Sequence, residues 1–277
     1  MTADGVGLSS VAYEAAPLLL ALERSSKGQW ELRSSWCNLG LWSTACTRFS
    51  AACAELARLL AVAAQLTAAD EVLDVGVGYG EQVRLWLDEY GVKRVVALEN
   101  SKTVAAAARA ALADKPAATI ICGDAGHLSD TGLTAQPASF DVVLCLDCAY
   151  HFATREAFIA SAVPLLRPAG RFAAVDLIPT KCRSRWSFMF FAQRLVAVAV
   201  GIPWSNLYGA EEYMGILCAS GLTAAQVQPI ESPTFARLGA YAWQQKDRLR
   251  KTGDLTWKGA VMLSGVGVLM NLSLIHI

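Results

Sequence analysis

From Ser50 to Leu66 the apolar positions of "SAACAELARLLAVAAQL" recur at helical spacing, and the period then shortens in "TAADEVLDVGVG", where a brief apolar run ends among alternate glycines. That change predicts a helix leading into a strand. The same exchange repeats downstream. Glu81 to Tyr90 reads as a helix, Arg94 to Leu98 as a strand, and the alanine-rich Lys102 to Leu112 as a helix. "ATIICGDA" and "FDVVLCLD" are further strands, "REAFIASAVPLL" is a helix, and "RFAAVDLIP" is a strand again. Nearly all-apolar strands alternating with helices predict a parallel sheet covered on both faces, the doubly wound α/β class. Past Pro179 the rhythm breaks, and a mostly helical stretch with Trp and Phe precedes a return to strand in "AAQVQPIE". The organisation expected is an amino-terminal helical cap over residues 1–66 and a ligand-binding α/β domain over 67–277. A helical lid is inserted after the fifth strand at about 181–220, on the edge where such sheets bind ligands.

Composition narrows the partners. The 277 residues carry 24 basic and 24 acidic side chains, a formal net charge of +0, so no basic field favours nucleic acid. Apolar residues make up 54% and charged residues 17%, which favours a greasy substrate or a membrane-facing patch; an alanine-rich bias gives the same numbers. A peripheral membrane contact through the lid or the oily carboxy-terminal stretch is left open. That stretch, "WKGAVMLSGVGVLMNLSLIHI", would span a bilayer only marginally, and a buried helix or strand is the expected state. The eight cysteines are scattered, several of them inside apolar runs, as free thiols of a reducing compartment would be. Cys145 and Cys148 in "VVLCLDCAY" are expected on opposite faces of a strand, with no second pair to complete a zinc site. No basic flank precedes "AAPLLLAL", so the chain reads as cytoplasmic.

The glycines of "VLDVGVGYG" point to a ligand that approaches the backbone more closely than side chains allow. A dinucleotide fingerprint would place its third glycine where Glu81 stands; the spacing here is D-x-G-x-G-x-G from Asp74 to Gly80. An acid at the end of the next strand could hold both hydroxyls of a ribose, and Glu99 of "VVALEN" occupies that position. Together with "CGDAGHL", "SFDVVLCLDCAYHF" and "LLRPAGRFAAVD", these elements resemble the motifs of class I S-adenosylmethionine-dependent methyltransferases over roughly Val72 to Pro179. "NLGLW", Asn38 to Trp42, resembles a segment before the core in the small-molecule group of that family, which includes natural-product and tocopherol-type enzymes.

The resemblance implies a mostly parallel, seven-stranded-type Rossmann-like sheet, S-adenosylmethionine as cofactor and methyl transfer to a small metabolite. It implies that Asp74, Gly76, Gly78 and Gly80 frame the cofactor, and that Glu99 and Asn100 meet its ribose. Asp124 and Ala125 would meet the adenine, Asp147 and Cys148 the methionine part, and Trp42 would help close the site. Leu41 stands where relatives carry an aromatic residue, and Ala169 where they carry a glycine.

Transfer to an O–H, N–H or C–H group needs alignment, exclusion of water and a destination for the proton. Of the three histidines, His127 follows the adenine loop and His276 lies in the terminal stretch, which leaves His151, just past the fourth strand, as general base. Asp176, ending the next strand, is placed to orient it or to bind the acceptor. Tyr150, Trp186, Phe188, Phe190, Phe191 and Trp204 are candidates for lining an apolar acceptor pocket, with core packing as the plain alternative for each. Two other readings stand beside this one: a nicotinamide-dependent oxidoreductase, and a cofactor-binding protein without turnover.

Overall fold

The computed structural model describes residues 15–44, 46–135, 137–179, 201–230, 234–266 and 272–277. Its first elements are helix α1 (Ala15–Leu20), an antiparallel hairpin of β1 (Leu22–Arg24) and β2 (Trp30–Leu32), and helix α2 (Phe49–Ala63). The alternation follows with β3 (Glu71–Val75), α3 (Glu81–Glu89), β4 (Arg94–Glu99), α4 (Lys102–Ala111), β5 (Ala118–Cys122), β6 (Phe140–Leu146), α5 (Arg155–Ala162) and β7 (Leu166–Pro179). Then come α6 (Ala210–Ala219), the two-residue β8 (Gln228–Pro229), α7 (Thr234–Lys251), α8 (Trp257–Val266) and β9 (Leu272–His276). The chain divides into two units, Met1–Leu56 with Glu231–Met270 and Ala57–Ile230 with Asn271–Ile277.

The second unit contains the expected doubly wound sheet, in the order β5-β4-β3-β6-β7-β9-β8. β3 to β7 are parallel neighbours, while β9 runs antiparallel to both β7 and β8. Alternation along the strands sorts their side chains. Leu73, Val75, Val143 and Cys145 share one buried cluster with Phe158 and Ile159 of α5 and Tyr213 and Leu217 of α6. Asp74, one position out of phase, turns to the opposite face and meets α3. The register brings the strand ends to one edge: Val75 pairs with Cys145, Glu99 with Cys122, and Leu146 with Val175. Successive connections leave β3 in one direction and β6 in the other, so the edge between them is the switch point where α/β sheets bind ligands.

Several local features differ from the periodicity. The stretch read as a helical cap contains the β1–β2 hairpin, closed by Ser25 and Gly28, where Gly28 has φ +76° and its N–H donates to the Ser25 carbonyl at 2.9 Å. Between Phe140 and Val142 the β6–β7 register shifts, and Ala169 in the looped-out residues has φ +63°. A Cβ in that region costs roughly 1 kcal/mol, so the missing glycine is felt as strain. The oily carboxy-terminal stretch supplies both a helix and a strand. Among the described residues, no helix is long and apolar enough to cross a membrane.

Candidate functional site

The chain must leave β3 at Val75 and enter α3 at Glu81 in a tight turn. Gly76, Gly78 and Gly80 make this possible with φ of +72°, +56° and +89°. A Cβ on Gly76 would lie 2.9 Å from the Cys148 Cβ, and one on Gly80 would lie 2.8 Å from Leu112 Cδ1. The turn is held to its neighbour by the Gly76 N–H, which donates to the Leu98 carbonyl at 2.8 Å.

Glu99 ends β4 with its side chain buried against this turn. One carboxylate oxygen accepts from the Gly78 N–H at 3.0 Å and the other from the Ser101 N–H at 2.9 Å. Each carboxylate oxygen can accept more than one hydrogen bond, so both retain capacity for a diol while the amides fix their direction. Asn100, next along, is exposed. Asp124 is also exposed and caps the turn after β5 by accepting from the Gly126 N–H at 2.8 Å; Ala125 beside it is buried.

Asp74 plays a different part from the one its motif suggests. It is fully buried and accepts from Trp86 Nε1 at 2.7 Å and Gln82 Nε2 at 3.0 Å, tying β3 to α3 beneath the glycine turn. Burial raises its carboxyl pKa to about 7, against the pull of the Trp86 and Gln82 donors.

Past β6 the expected alternation fails. Asp147 adopts φ +56° and turns the chain, so Cys148 folds back with its thiol 3.2 Å from Cys145 Sγ and donating to the Val75 carbonyl at 3.2 Å. The two cysteines therefore meet instead of facing apart. The hydrogen bond with the adjacent Cys145 thiol, and burial after it, push the Cys148 thiol well above its ordinary range, so it serves as an uncharged floor under Gly76.

The next residues form a single turn, Ala149–His151. His151 Nδ1 lies 3.1 Å from the Gly201 carbonyl, which can only accept, so this bond places the proton on Nδ1 and the lone pair on Nε2. Burial lowers the imidazole pKa to about 4, with a smaller contribution from Arg155 in the same direction, and the ring is neutral at pH 7. The buried Tyr150 ring sits 4.2 Å from it, centroid to centroid.

Asp176 is committed elsewhere. Its carboxylate pairs with Arg155 Nε at 2.9 Å, accepts from the Tyr213 hydroxyl at 2.7 Å and from the Leu177 N–H at 2.8 Å, and is hydrogen-bonded by the Tyr150 main chain. Both members of the ion pair are fully buried. Asp176 thus supports the His151 turn through main chain and Arg155, not through the imidazole. Asn206 completes the support: its amide Nδ2 donates to the carbonyls of Tyr150 at 3.1 Å and Phe152 at 2.7 Å, gripping the peptides on either side of His151. Its Oδ1 accepts from the Arg155 N–H at 3.0 Å, and its own carbonyl accepts from Arg155 Nη1 at 2.8 Å.

Sequence reasoning missed Arg155, Asn206 and Tyr213. Arg155 carried a readable signal: it opens a helix, where a cation opposes the macrodipole. Nothing local marked Asn206.

Of the pocket candidates, Trp204 is 59% exposed on a turn beside Asn206, while Trp186, Phe188, Phe190 and Phe191 lie outside the described residues. Trp42 belongs to the first unit and packs 4.9 Å from the Tyr241 ring, with its indole N–H donating to the Leu39 carbonyl at 2.9 Å. "NLGLW" reads physically as a docking turn: Asn38 bridges the Gly40 N–H and the Cys53 carbonyl, and a Cβ on Gly40 would lie 2.8 Å from Ala52 Cβ.

Comparison with known proteins agrees with this geometry. A methyltransferase domain model matches residues 73–174. Erythromycin 3''-O-methyltransferase of Saccharopolyspora erythraea is 30% identical over 230 residues, covering 82% of this chain and 72% of that protein. A cyclopropane synthase from Mycobacterium tuberculosis superposes with a TM-score of 0.67 at 17% identity, covering 86% and 87% of the two chains. A geranyl diphosphate C-methyltransferase from Streptomyces coelicolor, solved with S-adenosylhomocysteine, gives 0.62 at 11% identity, covering 86% and 87%.

Proposed function

The chain belongs to the class I S-adenosylmethionine-dependent methyltransferases, and from that premise we propose that it methylates a hydroxyl of a small amphipathic metabolite with His151 as general base. Its cofactor is S-adenosylmethionine, which supplies an electrophilic methyl group on a sulfonium. The residues present fit it: the missing Cβ of Gly76 lets the glycine turn close over the Cys148 side chain and present bare backbone, and Glu99 offers a carboxylate already aimed by two amides. In this reading Glu99 and Asn100 hold the ribose, Asp124 and Ala125 the adenine edge, and Asp147 and Cys148 border the methionine part.

The observation that carries the choice of hydroxyl and base is the neutral His151 with its Nδ1 bound to a carbonyl. An alcohol proton becomes strongly acidic only as its oxygen gains the methyl group. A weakly basic Nε2 therefore suffices when the proton leaves late in the displacement. The curated relative is an O-methyltransferase, which supports the same choice. In this reading Tyr150, whose ring lies 4.2 Å from His151, and the exposed Trp204 would line the acceptor site.

The test incubates the purified chain with S-adenosylmethionine and matched alcohol, amine and activated-carbon acceptors, and locates the added methyl group by mass spectrometry. Methylation confined to nitrogen or carbon overturns the hydroxyl assignment. For the base, His151→Gln should lower kcat by about 100-fold with S-adenosylhomocysteine affinity unchanged; unchanged kcat removes His151 from the chemistry. The acid limb of kcat/KM should fall near pH 4 and not near 6.5.

A further inference from the structure

The first unit contains a cleft of about 540 Å³ that the methyl-transfer reading does not use. Arg24, Arg48, Arg248 and Lys251 line it beside Trp30 and Tyr241, and Glu23 is the one acid among its lining residues. These cations come from separate stretches: β1, the turn before α2, and the last turn of α7.

Most of the second unit's described arginines are neutralised. Arg58 pairs with Glu89 at 2.7 Å, Arg94 with Glu71 at 2.8 Å, and Arg167 with Asp141 at 2.6 Å. In the cleft, Lys251 pairs with Asp247 at 2.6 Å, and Arg24 Nε donates to the Gly28 carbonyl at 3.1 Å. Arg48 and Arg248 have no ion pair among the described residues. Cations in a last helical turn complement the macrodipole, which accounts for Arg248 and Lys251. It does not account for Arg24 and Arg48, and with Glu23 as the one lining acid the cleft keeps a surplus of positive charge that an entering anion would balance.

The aromatic lining is fixed in advance. Trp30 Nε1 donates to Thr252 Oγ1 and Asp254 Oδ2, both at 3.0 Å, and the Tyr241 hydroxyl donates to the Leu20 carbonyl at 3.2 Å. The volume falls within the roughly 300–1,000 Å³ typical of small-molecule sites. Three of the four cations are arginine, whose planar fork matches phosphate oxygens in pairs.

We propose that this cleft is a binding site for an organic phosphate carrying a flat ring, with Arg24, Arg48 and Arg248 on the phosphate and Trp30 and Tyr241 beside the ring. The probe is uridine diphosphate, which lacks the adenine of the methyl donor, titrated into the full chain at low salt in the presence of S-adenosylhomocysteine. Quenching of Trp fluorescence with a dissociation constant below about 1 mM is expected, weakening several-fold when salt is raised to about 0.3 M. The double variant Arg48→Gln with Arg248→Gln should bind at least about tenfold more weakly while retaining its S-adenosylhomocysteine affinity. Absence of binding, equal binding by the double variant, or equal binding of uridine without phosphate each overturns the proposal. None of these outcomes touches the methyl-transfer reading, which the S-adenosylhomocysteine control reports separately.

Discussion

The two halves of the sheet's carboxyl edge are built by different means. Beside β3 and β4, main-chain groups do the positioning: three left-handed glycines shape the turn, and two amides aim the Glu99 carboxylate. Beside β6 and β7, side chains position main chain: Arg155, Asp176, Tyr213 and Asn206 form one buried polar network, and Asn206 grips the peptides flanking His151. A site made of backbone tolerates change anywhere except at its glycines and its one anchored acid. A site made of a buried network concentrates its risk, because losing one member strands the others.

The sharpest way to break the comparison is Arg155→Met, which leaves Asp176 charged and buried without its partner. We expect a loss of about 3–5 kcal/mol, read as a fall in Tm on the order of 10 °C. Adding Asp176→Leu to it should recover most of that loss; no recovery would mean that the pair was not the cause. On the cofactor half, Glu99→Ala should weaken S-adenosylhomocysteine binding by about 30–100-fold in calorimetry, with Tm nearly unchanged. A large Tm change would show that this half, too, is a structural network. Asn206→Ala should cost about 1–3 kcal/mol of stability and lower kcat while leaving cofactor affinity intact. Equal loss of both would erase the division between the halves.

A smaller effect sets the two halves against each other through pH. Asp74 has its carboxyl raised to about 7, so the stability tied to its proton is whole below its unfolded value of 3.8 and is lost as pH climbs to about 7. His151 is lowered from 6.5 to about 4, so its contribution is whole above 6.5 and is lost as pH falls to about 4. Between those values the slopes oppose, each at most about 1.4 kcal/mol per pH unit. Urea midpoints measured across this window should rise with pH in Asp74→Asn and fall with pH in His151→Gln; if both variants track the parent, neither group titrates as its burial demands. The smallest change is Ala169→Gly, which relieves a left-handed alanine and should add about 1 kcal/mol.

What the sequence made legible follows the same division. Backbone constraints are local, so the spacing from Asp74 to Gly80 and the acid at Glu99 could be read before any coordinates. The doubly wound sheet could be read because each buried strand is nearly all apolar. Asp74 was legible as a motif but not as a tie to Gln82 and Trp86, since a carboxylate facing a ligand and one facing a helix look alike in sequence. The opposite faces expected of Cys145 and Cys148 were lost to one left-handed residue, Asp147, which ends the strand's alternation. The network at His151 joins residues dozens of positions apart, and no local period records such pairings. The same holds for the grouping of Glu231–Met270 with the amino-terminal residues in one unit.

The placement of β9 between β7 and β8 has a consequence for the order in which the nascent chain can fold. β7 leaves the ribosome early, yet the strand that covers its outer edge is made only after α7 and α8. At about 5–20 residues per second, that edge waits several seconds with unpaired amides and carbonyls, a template for mispairing with another chain. β8 must wait as well, because its place in the sheet is beside β9. Translation speed across residues 180–271 therefore sets how long the molecule is exposed to aggregation before its sheet is complete.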